Sequence, residues 1–326
     1  MATQPATVPT LGSSRSAFTD RAFSILALGA GLTVLLILGL IALSTTNQAL
    51  PAFRQEGLGF ITSDRWIPSQ DVFGALPFVY GTMVISVIAL LFAVPVSMGI
   101  ALFLSELAPP RLRRPVVYLI DLLAAVPSVV FGLWGLLVLT QPGPGGGDPP
   151  IVGFYQWISN VTGSIPGLST LFGPPLNGKS FFLAGVILAL MITPIITSLI
   201  REVYNTVPPG HKEAALALGA TRWEMIRGAV FPHSRSGTVA AVMLGLGRAM
   251  GETIAAALVI GSSPQITARL FGSGDAMAAV IANQFGEAGG THRSALIGLG
   301  VVLFAMTIVV NVVARLVFGR SSAAVA

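Results

Sequence analysis

The chain lacks cysteine entirely, has three histidines, and carries only 10% charged residues in its 326 positions. Without cysteine there are no disulfides and no thiolate metal sites, and no thiol from which to read a redox compartment. His211, His233 and His292 have no zinc-ligand spacing, which leaves solvated or interfacial imidazoles as the default reading. Soluble domains carry roughly 25% charged residues. The shortage here, with 53% hydrophobic residues and a mean hydropathy of +0.82, excludes a soluble globular domain and predicts an all-α integral membrane protein.

Long apolar runs supply what the charges do not. Six are long enough to cross roughly 30 Å of hydrocarbon as helices of about 20 residues: Ala22 to Leu43, Phe78 to Leu104, Val116 to Leu139, Phe181 to Ile200, Thr238 to Gly261 and Ala295 to Phe318. The first is too long for a signal peptide and has no clear small-residue cleavage site, so it reads as a span. Placing both termini inside puts twelve basic residues on the cytoplasmic side against five outside, with Arg248 within a span. That asymmetry sets the orientation. The pI near 10.2 therefore reports topology and not nucleic-acid affinity.

Residues 1–20 are polar and aperiodic, and predict a disordered cytoplasmic N-terminus. Residues 21–77 read as the first span and an external loop, 78–318 as a five-helix domain, and 319–326 as a cytoplasmic tail. Two further outside loops follow, 140–180 and 262–293, and in the second Ala276 to Phe285 predicts a short re-entrant or surface helix. Gly173 to Ser180 satisfies G-x-x-x-x-G-K-[ST], but Pro174 and Pro175 have no N–H to offer a phosphate, and an apolar span follows. The match is a coincidence of pattern.

One polar insert between apolar runs stands out, EAALALGATRWEMIRGAVFP from Glu213 to Pro232, placed by the charge asymmetry in the cytoplasm. Pro208 and Pro209 can open a helix, and the run from Ala214 to Leu218 favours one. Gly219 fits a left-handed C-terminal cap. Thr221 followed by Glu224 has capping-box spacing, which predicts a second helix from Arg222, ending where Pro232 removes a donor. A charged helix pair between spans implies that something soluble docks there.

Arg248 and Glu252 are the charges set deepest in a span, four residues apart and so on one helix face. Arg248 lies about ten residues into its span, roughly 15 Å deep. An arginine there costs at least about 2.5–3.5 kcal/mol and must face protein or water. Two readings stay open, a structural ion pair and a cationic station for an anionic solute with Glu252 as its counter-charge. Asp121 reads as a helix-end carboxylate satisfied by a partner, and Gly245, Gly247 and Gly251 as close-packing positions. Gly81, Gly99, Pro95, Pro127 and Pro194 are candidate kinks.

The insert resembles the EAA loop of ABC-importer permeases: Glu213, Ala214 and Ala215 begin it, Gly219 follows, and Pro232 closes it. The stretch from Phe73 to Pro109, AVPSVVFGLWG from Ala125 and LGLGRAMGETIAAALVIG from Leu244 extend the likeness to the PstC-type permeases of phosphate importers. This resemblance implies a six-span MetI-like permease whose coupling loop, 208–235, seats on an ATPase. It implies a PstA-type permease partner, two PstB-type ATPase subunits and a PstS-type external phosphate-binding protein. It implies that Arg248 and Glu252 lie on the phosphate path, and that ATP is used by the partner while this chain binds no cofactor and has no catalytic site. Passage of another oxyanion, a proton-coupled secondary carrier and a membrane-tethered DNA-binding regulator remain as alternatives.

Overall fold

The computed structural model describes residues 14–142, 146–175 and 177–319. They divide into an N-terminal unit ending at Gln48 and a larger unit from Ala49 onward. The first helix, α1 (Ser14–Glu56), already includes residues 14–20, so the expected disorder does not hold there; residues 1–13 and the tail beyond Gly319 lie outside the described residues. From Ala22 to Leu43 α1 is apolar on every side, as a helix surrounded by lipid must be. It continues through Pro51, well past the expected end at Leu43.

The larger unit opens with order in what the sequence left as loop. After α2 (Gly59–Thr62), a two-stranded hairpin pairs β1 (Trp66–Ile67) antiparallel with β2 (Val72–Phe73). Trp66 packs edge-on against Phe73 and Phe78, with ring centroids 5.1 and 5.0 Å apart. Its indole N–H donates to Gln284 at 3.1 Å.

The core is the pair α3 (Leu76–Leu102) and α8 (Phe181–Asn205). α3 extends through a π-helical turn, Phe103–Leu107. Gly185 lets the two approach closely, since a Cβ there would strike Ile88 of α3. The Ser97 hydroxyl of α3 donates to the Thr193 carbonyl of α8 at 3.0 Å, one residue before Pro194.

The expected third span is broken. α4 (Pro110–Ala124) meets α5 (Ser128–Trp134) and the π turn Gly135–Leu139 at 86°. Pro127 explains the corner: it has no N–H for the helix ladder and drives Val126 away from helical geometry. Asp121 is exposed on α4 and forms no ion pair among the described residues, contrary to its reading as a partnered carboxylate.

Two helices occupy the long loop that follows, α6 (Pro150–Thr162) and α7 (Leu168–Leu171). Tyr155 of α6 stacks on Phe271 with centroids 4.2 Å apart. Its hydroxyl lies 2.7 Å from that of Ser180, which caps α8 by accepting from the Leu183 N–H. The last residue of the phosphate-loop pattern is thus a helix cap; Leu176 of that pattern lies outside the described residues.

The rest of the chain runs through α9 (Pro209–Ala217), α10 (Arg222–Met225), a π turn at Ile226–Val230, α11 (Phe231–Met250), α12 (Ile254–Val259), α13 (Met277–Gln284) and α14 (Gly290–Gly319). Among the described residues, four helices, α1, α3 with its π turn, α8 and α14, are each long and apolar enough to cross a membrane, and α4 with α5 forms a fifth, bent candidate. The expected fifth span, Thr238 to Gly261, is not one helix. It stops at Met250 and restarts at Ile254, because the Glu252 carboxylate accepts the Ala255 N–H at 3.2 Å, a donor that a continuous α-helix would direct to Gly251. The short helix expected near Ala276 is α13.

Candidate functional site

The insert folds as its residues dictate. Pro208 precedes α9, and Pro209 takes the first helical position. Gly219 has a φ of +86°. Its N–H reaches the Leu216 carbonyl at 3.0 Å while the Ala220 N–H reaches Ala215 at 3.2 Å, the paired bonds of a Schellman cap. Thr221 and Glu224 form both bonds of a capping box, and Thr221 holds the Glu224 carboxyl below the usual carboxylate range through its backbone N–H and its hydroxyl.

Pro232 does not end the second helix, contrary to the sequence expectation. The preceding π turn sends the Phe231 N–H back to the Ile226 carbonyl, five residues earlier, so the missing donor at Pro232 falls where the ladder has already been reset. The Ser234 hydroxyl takes up the Val230 carbonyl. Helical backbone is therefore continuous from Arg222 to Met250, and the second helix of the insert and Arg248 belong to one rod.

The two faces of the insert differ. Met225, Ile226 and Val230 are buried in the same core as α3 and α8. Leu218 is 89% exposed and Trp223 58%, apolar surface facing away from that core. Glu213 and Ala214 are exposed, and Ala215 packs partly against the core. Lys212 donates to Glu106 at 2.6 Å, joining α9 to the π turn at the C-terminal end of α3, and the rings of His211 and His233 meet at 6.0 Å. Neither contact is legible in the sequence, where 106 residues separate the ion pair.

At the far end of the rod, Arg248 is exposed on a cavity of about 720 Å³ between α11 and α14. Glu252 does not share its helix face. It lies beyond the end of α11, only 9% exposed, with its carboxylate turned to Ala255, and no ion pair joins it to Arg248. The structural-pair reading fails on that geometry. Gly245 packs on Ile196 of α8, whereas Gly247 lines the cavity.

The insert thus docks on the core by one face, and its second helix runs on into α11, whose Arg248 forms no ion pair among the described residues. The family model described as "Binding-protein-dependent transport system inner membrane component" matches residues 93–324. The chain belongs to that family. The permease is 45% identical over 94% of its length, and 93% of the relative's, to the phosphate transport system permease protein PstC of Xylella fastidiosa (strain 9a5c). It is 42% identical to the PstC of Haemophilus influenzae over 89% of this chain and 90% of that one. Among solved structures, it superimposes with a TM-score of 0.59 on a chain of a bacterial ABC transporter that imports alginate, at 17% identity, over 94% of this chain and 99% of the other. It also resembles the MetNI methionine ABC transporter, with a TM-score of 0.53 over 75% of this chain and 94% of that one at 16% identity. Both share its fold.

As a family member the permease is a multi-pass transport subunit of an ABC importer, working with a binding protein and with separate ATPase subunits that hydrolyse the ATP. The secondary-carrier and DNA-binding readings are set aside by this membership.

Proposed function

We propose that the permease carries inorganic phosphate inward across the cytoplasmic membrane, with both termini on the cytoplasmic side. The names of its relatives support phosphate as the cargo, and the observation that carries the mechanism is Arg248: exposed on a cavity, without a carboxylate partner among the described residues, toward the end of a helical rod that begins in the docking insert. A guanidinium offers five donors in a fork suited to a phosphate oxyanion.

In this reading residues 78–318 form the permease domain and 208–235 its coupling loop. A PstA-type permease completes the path, two PstB-type ATPases grip the coupling loops, and a PstS-type protein delivers phosphate from outside. Glu213, Ala214, Ala215 and Gly219 shape the seat for the ATPase, and Pro232 marks where the insert passes into α11. Closure of the ATPases on bound ATP pushes α9 and α10, the rod transmits the push to Arg248, and the path opens outward; hydrolysis resets it and releases the ion inside. Glu252 acts by fixing the break after α11, which sets where Arg248 is presented. This chain binds no cofactor of its own.

The test is reconstitution of the permease with its partners in liposomes, with ATP hydrolysis measured as the external binding protein is loaded with phosphate, sulfate or molybdate. Phosphate-loaded protein should stimulate hydrolysis and uptake. Stimulation by another oxyanion and none by phosphate refutes the assignment.

A further inference from the structure

The cavity that exposes Arg248 has a second cationic wall. Its α11 side runs from Ser236 to Arg248, twelve residues or roughly 18 Å of helix. Its α14 side presents Asn311 and Arg315, one helical turn apart and therefore on one face. No Asp or Glu lines the cavity, and neither arginine forms an ion pair among the described residues. Asn311 donates one amide hydrogen to the Thr307 carbonyl at 2.9 Å, which leaves its second N–H available. Arg248 toward one end of this apolar wall and Arg315 with the Asn311 amide on the other side are uncompensated donors, each suited to a phosphate oxyanion whose charge would offset theirs.

We propose that Arg315, with the Asn311 amide, is a second oxyanion station on the cytoplasmic side of Arg248, to which phosphate passes before release. The proposal rests on the phosphate-import reading. Arg315 lies near the inner end of α14, four residues before its last described position, while Arg248 lies toward the other end of the α11 wall. Passage through a pore requires binding firm enough to admit an ion and divided among sites so that it can leave. One deep arginine would hold its anion; a second, nearer the cytoplasm, gives the ion somewhere to go.

The same chemistry could draw in the head group of a phospholipid, and the experiment separates the two. The complete transporter, in liposomes with labelled inorganic phosphate, is compared with Arg315→Gln, Arg315→Lys and Asn311→Asp. Phosphate uptake by the unmodified transporter tests the function itself. Given that uptake, Arg315→Gln should lower it at least tenfold while binding-protein-stimulated ATP hydrolysis persists, and Arg315→Lys should retain most of it. Uptake at the unmodified level in Arg315→Gln overturns the proposal. So does loss of tightly held phospholipid phosphorus from purified Arg315→Gln complex with uptake unchanged, which would make this a lipid site. Should Arg315→Gln fail to assemble, Asn311→Asp decides: it keeps the side-chain volume, sets a carboxylate in the cavity and should depress uptake, and unchanged uptake overturns the station.

Discussion

Lys212 Nζ and Glu106 Oε1 stand 2.6 Å apart and tie the first helix of the insert to the π turn at the C-terminal end of α3. Glu106 is the more buried partner, its side chain 7% exposed against 22% for Lys212. A charged pair so sheltered is costly to break on one side only, because the remaining charge stays desolvated. Pushing on α9 therefore also moves α3, half of the central helix pair.

Glu106→Gln should loosen this joint by about 2 kcal/mol, the scale of a hydrogen bond to a charged group. The expected outcome is faster amide exchange across α9 and weaker stimulation of ATP hydrolysis by the loaded binding protein. Exchanging the charges, Glu106→Lys with Lys212→Glu, should recover part of the loss. Equal exchange rates in wild type and Glu106→Gln would show that the pair carries no force.

Gly219 makes a different kind of prediction. Nothing lies within 4 Å of where its Cβ would be, so a side chain meets no neighbour and the penalty is purely conformational. At a φ of +86°, Gly219→Ala should cost about 1 kcal/mol in the stability of the insert, and Gly219→Val more, because β-branching tolerates the left-handed region least. Thermal unfolding of the purified permease together with ATPase pull-down measures both effects. A Gly219→Val protein that docks its ATPase normally would count against the cap as the element that sets the angle between α9 and α10.

Arg248→Gln should abolish phosphate uptake in an assembled transporter. The side chain lines the cavity without a carboxylate partner among the described residues, so replacing it leaves no unpaired acid there and removes only the cation. Co-purification of the ATPases with the variant checks assembly, and labelled uptake reads the loss. Normal uptake by that assembled variant would remove Arg248 from the path.

The parts of this arrangement that the sequence revealed are the local ones. Gly219, Thr221 with Glu224, and Pro209 act within a few residues of themselves, and each stands in the conformation its chemistry predicts. Hydropathy could find the apolar runs but not their breaks. Pro127 turns a corner, whereas Pro232 is absorbed by a π turn, and nothing in the residue type distinguishes the two; the ladder around each decides. The break after Met250 was hidden because a four-residue spacing presumes the helix that Glu252 interrupts. Glu106 and Arg315 came into view only when distant helices were brought together, for a lone Glu or Arg at the end of an apolar run reads as a solvated flank.

Asp275 supplies the pH prediction. It is 3% exposed, lies in the loop between α12 and α13, and accepts the Ala276 N–H at 2.8 Å, while burial pushes its carboxyl from 3.8 up to about 7. The folded state therefore holds the proton more tightly than the unfolded chain. Its favourable contribution is complete below the unfolded value of 3.8, erodes as pH rises through the interval, and is gone above about 7. Asp275→Asn keeps an oxygen to accept the Ala276 N–H and carries no charge to desolvate. The variant should match wild type in thermal stability near pH 4, exceed it near pH 8, and show a shallower decline in melting temperature between them. Parallel melting curves for the two proteins across that range would mean that the Asp275 carboxyl does not titrate within it.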